Sequence, residues 1–563
     1  MLNFRAERWK EKTPGVLLVQ TLLFTVLIFL GLQWRLPHFS MTDDNLREHY
    51  TLFYEAGIHL LHGESPFYSD AIFGGHYDLL RDGQFFLWHP FYLLTSLLAG
   101  TPLRLWMIDL DVLFLYLVSA AGFVRLALYF RDEEGVRISD GWIFFCALSY
   151  TFTMMALVSG SSWLPFEDNI SALPWLALGI LQRRWRWGIG LVTLFSLHQV
   201  LGGHLQPLVS NSLFLSLFAL GICGWRGSFQ PLITWFSGYL IAIILISPLL
   251  VPMVEGFLES ARSGGNGLDE MLKNKIALGV FPSAFLFGTA FQYLNSPPPG
   301  TINGIFIFST AGCAAAWCLF PALFSRAPWR YPEGLCLVLA LVAVGLICRP
   351  LFVAQIMQHL PVVRSMRWPF RELVQFQFFF HLFILLRPIT WPGRVRFWLM
   401  LAGATLFVLP MLLFQVPPTF NLMSLDRQVI LSGKLEPYWS QLRTMIKPED
   451  RYVVLVPDGT QQTDSMFVPF SLLGGYDYSM LVHAVNGSGY SQTPPANQYY
   501  LHTDLCTPWG AYHLTDCDAL WREKPALKLI CLEQIHPLRV TLRSHDGAVV
   551  DLTPLILNTL AKP

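Results

Sequence analysis

Eleven apolar runs, each near the length that crosses a bilayer, decide what this chain can become. They fall at 16–33, 104–130, 141–159, 170–183, 187–203, 207–224, 229–253, 303–324, 333–348, 368–388 and 396–416. About 20 apolar residues in helical form span the hydrocarbon core, and in lipid each backbone polar group must be satisfied within its own helix. Of the 563 residues 53% are hydrophobic and 13% charged, an apolar excess over an ordinary soluble domain. The expected fold is an α-helical multi-span membrane protein with about 11 transmembrane helices. A shorter run, 85–100, contains Pro90 and ends at Gly100. It reads as an interfacial or re-entrant helix, because counting it as a span would invert every later loop.

Basic residues set the orientation. Arg5, Arg8, Lys10 and Lys12 precede the first run, which is too long for a signal-peptide core and lacks a small-residue cleavage site. The N-terminus is therefore expected in the cytoplasm. With eleven spans, Arg131 and Arg137, then Arg183, Arg184 and Arg186, then Arg226, Arg326, Arg330, Arg387, Arg394 and Arg396 all fall on that same side. The expected division is a membrane domain over 1–416, with a long first outer loop at 34–103, and an extracytoplasmic domain over 417–563. That tail loses the apolar runs and alternates short segments such as RYVVLVP and LRVTL with Gly, Pro and Asn turns, the pattern of a soluble β-rich or α+β domain.

Cys146, Cys223, Cys313, Cys318, Cys336 and Cys348 lie in or beside spans, where cysteine usually packs as a small apolar residue. In an oxidising outer compartment two of Cys506, Cys517 and Cys531 form the expected disulfide, with Cys506–Cys517 as the pairing chosen. Formal net charge is zero, which gives nucleic acid no basic footprint to bind.

The polar residues that chemistry needs gather in the outer loops, and ionisable groups at membrane depth are costly enough to mark function. Residues 41–90 begin with Asp43 and Asp44 directly after the first span. One of the pair reads as a general base that takes the proton from an acceptor hydroxyl; the other reading makes either an N-cap for the helix in NLREHYTLFYEAGIHLL. The motif LPFEDNISALPW adds Glu167, Asp168 and Asn169, and LHQVLGGHLQPL adds His198, His204 and Gln206 with Gly202 and Gly203 allowing close backbone approach. His89 is a weaker member of the same cavity. The segment VVRSMRWPFREL places Arg364, Arg367 and Arg371 at the start of a span. They read as a phosphate clamp, because the planar guanidinium donates paired hydrogen bonds and keeps its charge; snorkelling to lipid headgroups is the plainer alternative. Trp163, Trp368 and Tyr54 are candidates for stacking on a sugar ring. Structural zinc spacings are absent. The Asp pair with Glu167 or Asp168 would suit a divalent ion, yet the adopted reading assigns no metal and no cofactor.

The acidic first outer loop, the turn Gly202-Gly203-His204-Leu205-Gln206, the LPW-containing span start and the R-x-x-R-x-P-x-R segment together resemble the bacterial YfhO-like membrane proteins, which are similar to the GT-C superfamily of glycosyltransferases. Leu205 stands where that family's GHPQ motif has Pro. The resemblance implies a multi-pass enzyme of the bacterial cytoplasmic membrane that moves a sugar from a polyprenyl-phosphate donor to a glycan, lipid or protein acceptor on the extracytoplasmic side. It matches the family's first-loop carboxylate to Asp43 or Asp44. A lipid-phosphate leaving group needs no nucleotide site, and no phosphate-binding glycine loop is present. Arg364, Arg367, Arg371 and His204 would steady the departing phosphate. A transporter or flippase of lipid-linked glycans would use the same cavity without chemistry.

Overall fold

The computed structural model describes residues 14–272 apart from 43, 70, 73–76, 83–87, 100–105 and 260–267, then 275–278 and 328–387 apart from 361–362, 364–365 and 367. In the C-terminal part it describes most of 429–455, residues 472, 485–486, 518 and 521–522, and 529–561 without 537–538 and 545. The expected spans at 303–324 and 396–416, and the expected boundary at 416/417, lie outside these residues.

Helix α1 covers Pro14–Arg35, and a π-helical turn, Asn45–His49, leads into α2, Tyr50–His62. A two-residue hairpin, β1 Tyr68–Ser69 with β2 Tyr77–Asp78, precedes α3, Pro90–Ala99. At 10 residues, α3 is about 15 Å long and too short to cross a bilayer, in keeping with the interfacial reading of 85–100. The bundle continues with α4 Trp106–Asp132, α5 Asp140–Thr151, α6 Met154–Ser162, α7 Leu164–Leu181, α8 Trp185–Gly202, α9 Leu205–Arg226 and α10 Gln230–Glu259. After a short α11, Leu268–Leu272, come α12 Tyr331–Cys348, α13 Leu351–Gln358 and α14 Leu373–Leu386.

Among the described residues five helices are long and apolar enough to cross a membrane: α1, α4, α9, α10 and α12. The pair α5 and α6, bent by 44°, makes a sixth if it is one broken span. The bend follows from sequence, since Thr153 accepts the Ala156 backbone N–H at 3.3 Å and starts a new helix there. Helices α7, α8 and α14 lie on expected runs but are not among the five; α14, at 14 residues, is about 21 Å long against a core of about 30 Å. Rows of exposed Leu and Ile on α1 (Leu23, Leu27, Leu30) and α10 (Leu240, Ile241, Ile244, Leu245) would strand a large apolar surface in water.

Helix α7 is the buried centre, with every residue from Leu164 to Leu181 except Trp175 buried. It packs against α4 and α8. Pro174 sits inside it and has no N–H to give the Ile170 carbonyl. The Tyr150 hydroxyl of α5 donates to that carbonyl at 2.7 Å instead, so the break is repaired from a neighbouring helix. Against α8 the contact is close enough that a Cβ on Gly188 would lie 2.6 Å from the Gly179 carbonyl oxygen, the small-residue packing typical of membrane helices.

The C-terminal part holds α15, Leu435–Met445, then a mixed sheet of β3 Arg451–Leu455, β4 Val485–Asn486, β5 Leu529–His536, β6 Arg539–Arg543 and β7 Val549–Asp551, ending in α16, Thr553–Ala561. The order is β4-β3-β5-β6-β7, with β3 parallel to both neighbours and the rest antiparallel. Tyr452, Val454, Leu532, Val540 and Leu542 are buried, as are Tyr438, Trp439 and Leu442 of α15. Cys531 on β5, which the chosen pairing left out, is disulfide-bonded; Cys506 and Cys517, the pair chosen, lie outside the described residues. Cys146, Cys223, Cys336 and Cys348 are buried and not disulfide-bonded, as packing residues should be.

Candidate active site at one end of the bundle

Hydrogen bonds sort the helix ends into two groups. At one, the C-termini of α4, α7 and α9 meet: Tyr129 and Arg226 both donate to the Leu181 carbonyl, and Arg226 pairs with Glu134. At the opposite ends of the same helices lie the first loop, the start of α7, the turn between α8 and α9, and the start of α14.

The first loop is pinned by Asn45. Its amide donates to the Ser40 and Gly160 carbonyls at 2.9 and 3.0 Å, and its oxygen accepts the Leu164 N–H at 2.8 Å. Thr42 adds two bonds to the Ser161 carbonyl, 2.6 Å from its hydroxyl and 3.1 Å from its N–H. Next door, Asp44 accepts from Arg47 Nε at 2.9 Å and also from its Nη2. Asp44 stands before the π-turn but makes no side-chain cap bond, so its partner is the guanidinium rather than the helix N-terminus. Asp43 lies outside the described residues. His49 is buried, and burial first of all, aided by Arg47 and opposed by Asp44, lowers it from 6.5 to about 4.

The start of α7 locks to the glycine turn. His204 N–H donates to the Pro165 carbonyl at 3.1 Å, and Asn169 donates to the Pro165 and His204 carbonyls at 3.0 and 3.3 Å. The Asn169 carbonyl in turn accepts from Gln199 and Asn211. The double glycine is required by space, because a Cβ on Gly202 would lie 2.4 Å from Asp168 Oδ1 and one on Gly203 2.5 Å from Asn169 Nδ2.

Arg371 reaches this turn from the short 3-10 segment Pro369–Glu372. Its guanidinium lies over Phe166 at 5.0 Å and Trp368 at 4.9 Å, within cation–π range. Nη1 donates to Gln206 Oε1 at 3.2 Å and faces His204 Nε2 at 3.3 Å. On the other side of the ring the Gln206 backbone N–H points at His204 Nδ1, 3.1 Å away. A neutral imidazole has one donor and one acceptor nitrogen. Here N–H donors face both nitrogens, so whichever tautomer His204 takes, one contact sets donor against donor. Behind Arg371, Glu372 accepts from Ser210 at 2.9 Å. Arg364 and Arg367 lie outside the described residues.

Beside this cluster, Asp168 accepts the Tyr92 hydroxyl at 2.6 Å on Oδ2, and its Oδ1 lies 3.6 Å from His198 Nε2. His198 Nδ1 is 2.9 Å from His89 Nε2, and Ser171 Oγ is 3.0 Å from His198 Nε2. Burial lowers His89 from 6.5 to about 4, which keeps its imidazole neutral near pH 7. Glu167 is fully buried, and among the described residues neither of its oxygens has a hydrogen-bond partner.

The sequence reading therefore named residues that do gather: Asp168, Asn169, His204, Gln206, Arg371 and His89 share contacts at the start of α7 and the glycine turn, Glu167 is buried next to them in α7, and Asp44 pairs with Arg47 in the first loop. It left His198 out of the chosen site, and it missed Tyr92 and Ser171. His198 had a signal, since it stands four residues before Gly202 in a helical run and so shares its face. Tyr92 had less: it follows His89 by three residues in a segment whose helical phase begins only at Pro90. Compared with protein-family models and with curated proteins, the chain matches none.

Proposed function

We propose that this protein is a membrane glycosyltransferase that transfers a sugar from a polyprenyl-phosphate donor to an envelope glycan, lipid or protein acceptor, through a membrane domain of about 11 spans. The observation that carries the reading is the Arg371 guanidinium, held over Phe166 and Trp368 with Nη1 turned to His204 Nε2 and Gln206 Oε1. A guanidinium placed this way suits an anionic oxygen, and a lipid phosphate supplies one. Phe166 and Trp368 lie under the guanidinium and Trp163 packs against Phe166, an aromatic cluster that suits a sugar ring. Asp44, or Asp43 beside it, serves as the acceptor-side base, and the fixed donors stabilise the leaving phosphate without reorganising. One observation favours the transport alternative: Arg47 already holds the Asp44 carboxylate, which suits binding without proton transfer.

The test supplies the full-length protein, in proteoliposomes, with labelled polyprenyl-phosphate hexose and an acceptor. Label is expected to reach the acceptor, with Asp44→Asn slowing transfer by about 10²- to 10⁴-fold, the range for loss of a general base. Intact donor crossing the bilayer with no label transferred would reject the enzyme in favour of the transporter.

A further inference from the structure

The sequence reading assigned no metal, but three elements bring metal-ligand side chains to one point. His89 precedes α3, Asp168 lies in the second turn of α7 and His198 near the end of α8. One ligand atom from each lies within 4.8 Å of the others. Asp168 and His89 are both buried. Tyr92 occupies Asp168 Oδ2, while Oδ1 has no hydrogen-bond partner among the described residues. From the juxtaposition of His89, His198 and Asp168 we infer a binding site for a divalent cation of the zinc class.

The surroundings are those such a site needs. A ligating imidazole is usually fixed by a hydrogen bond at its other nitrogen, and a ligating carboxylate by one at its other oxygen. Ser171 holds His198 Nε2 at 3.0 Å, which leaves Nδ1 as the ligand, and Tyr92 holds Asp168 Oδ2 at 2.6 Å. Then His198 Nδ1 and His89 Nε2 present themselves to the same point, 2.9 Å apart. At zinc–nitrogen distances of about 2.1 Å in tetrahedral geometry the two nitrogens would stand about 3.4 Å apart, a shift of about half an ångström. Two imidazoles and one carboxylate select a borderline ion such as Zn²⁺ over Mg²⁺ or Ca²⁺, which prefer all-oxygen shells. Three protein ligands leave a fourth position for water or a substrate oxygen.

This site does not rest on the glycosyl-transfer reading, because its readout is metal binding alone. The full-length protein in detergent, stripped with a chelator and dialysed, is titrated with Co²⁺ and with Zn²⁺, following cobalt d–d absorption and bound metal by mass spectrometry. One ion per chain is expected, with the absorption of a four-coordinate site and no displacement by equimolar Mg²⁺. His198→Gln and His89→Gln should each weaken binding by more than about 100-fold, and Ser171→Ala, which removes the hydroxyl that holds His198 Nε2 and bonds the Asp168 carbonyl but no ligand atom, by about 10-fold. Each variant is checked for an unchanged elution volume; the wild-type titration decides the matter if one fails to fold. Wild-type protein that takes up far less than one ion per chain overturns the site. So does binding that survives both histidine substitutions, which would put the ion elsewhere, or ready displacement by Mg²⁺, which would deny the zinc class.

Discussion

The two ends of the helical bundle differ in how they treat buried carboxylates. At the arginine-rich end, cations meet carboxylates: Arg226 pairs with Glu134, Arg131 with Asp140 at 2.6 Å, and fully buried Arg387 with Glu333 at 3.0 Å beneath Trp329. At the other end, among the described residues, both oxygens of Glu167 and one each of Asp168 and Asp111 have no hydrogen-bond partner, and two N–H donors flank one imidazole. Burying polar groups without partners costs on the order of 1–3 kcal/mol each. A buried carboxylate such as Glu167, with no hydrogen-bond partner among the described residues, is costly to keep and marks the second end for something other than stability.

The comparison is broken most forcefully at the paired end. Glu333→Leu leaves Arg387 buried without its carboxylate and should destabilise the protein by about 3–5 kcal/mol, read as a lowered thermal midpoint in detergent. The double variant Glu333→Leu with Arg387→Met should recover most of that loss, because replacing both charges leaves none unpaired. A next, smaller effect is set by pH in the first loop. His49 titrates near 4 in the fold against 6.5 when exposed, so the unfolded chain binds the extra proton between these values. Stability is therefore complete above pH 6.5 and lost as pH falls toward 4, by about 3 kcal/mol. Chemical denaturation from pH 7 to 4 should show the decline, reduced in His49→Gln.

Smaller again is Gly202→Ala, whose new methyl would meet Asp168 Oδ1 at 2.4 Å. It should cost about 1–3 kcal/mol; an unchanged midpoint would mean that the turn and α7 are less tightly locked than described. Least of all is Arg183→Ala. Its side chain is 63% exposed and 3.5 Å from Glu134, and surface pairs of this kind contribute about 0–1 kcal/mol.

Much of this was legible because two strong signals act over long stretches. Apolar length placed α1, α4, α9, α10 and α12, and arginine placement sorted residues such as Arg131, Arg226 and Arg387 to one end before any contact was visible. The gathering of Asp168, His204, Gln206 and Arg371 was legible too, since polar groups beside apolar runs have few places to go. What was hidden depends on pairing between helices. That Tyr150 would serve the Ile170 carbonyl freed by Pro174, or that Ser171 and Tyr92 would orient His198 and Asp168, follows from which helices are neighbours, and no local pattern encodes that. Asp44 was hidden differently: Arg47, three residues on, is a ready i,i+3 partner, and the reading weighed capping and catalysis instead.

The most direct measurement of the central claim is binding of a polyprenyl monophosphate to the full-length protein in lipid nanodiscs, comparing wild type with Arg371→Ala and with Arg183→Ala from the opposite end. If the Arg371 guanidinium beside His204 receives the phosphate, Arg371→Ala weakens binding by about 10- to 100-fold, the 1.5–3 kcal/mol typical of a hydrogen bond to a charged group, while Arg183→Ala leaves it unchanged. Equal affinity in wild type and Arg371→Ala, or an equal loss in both variants, would contradict it.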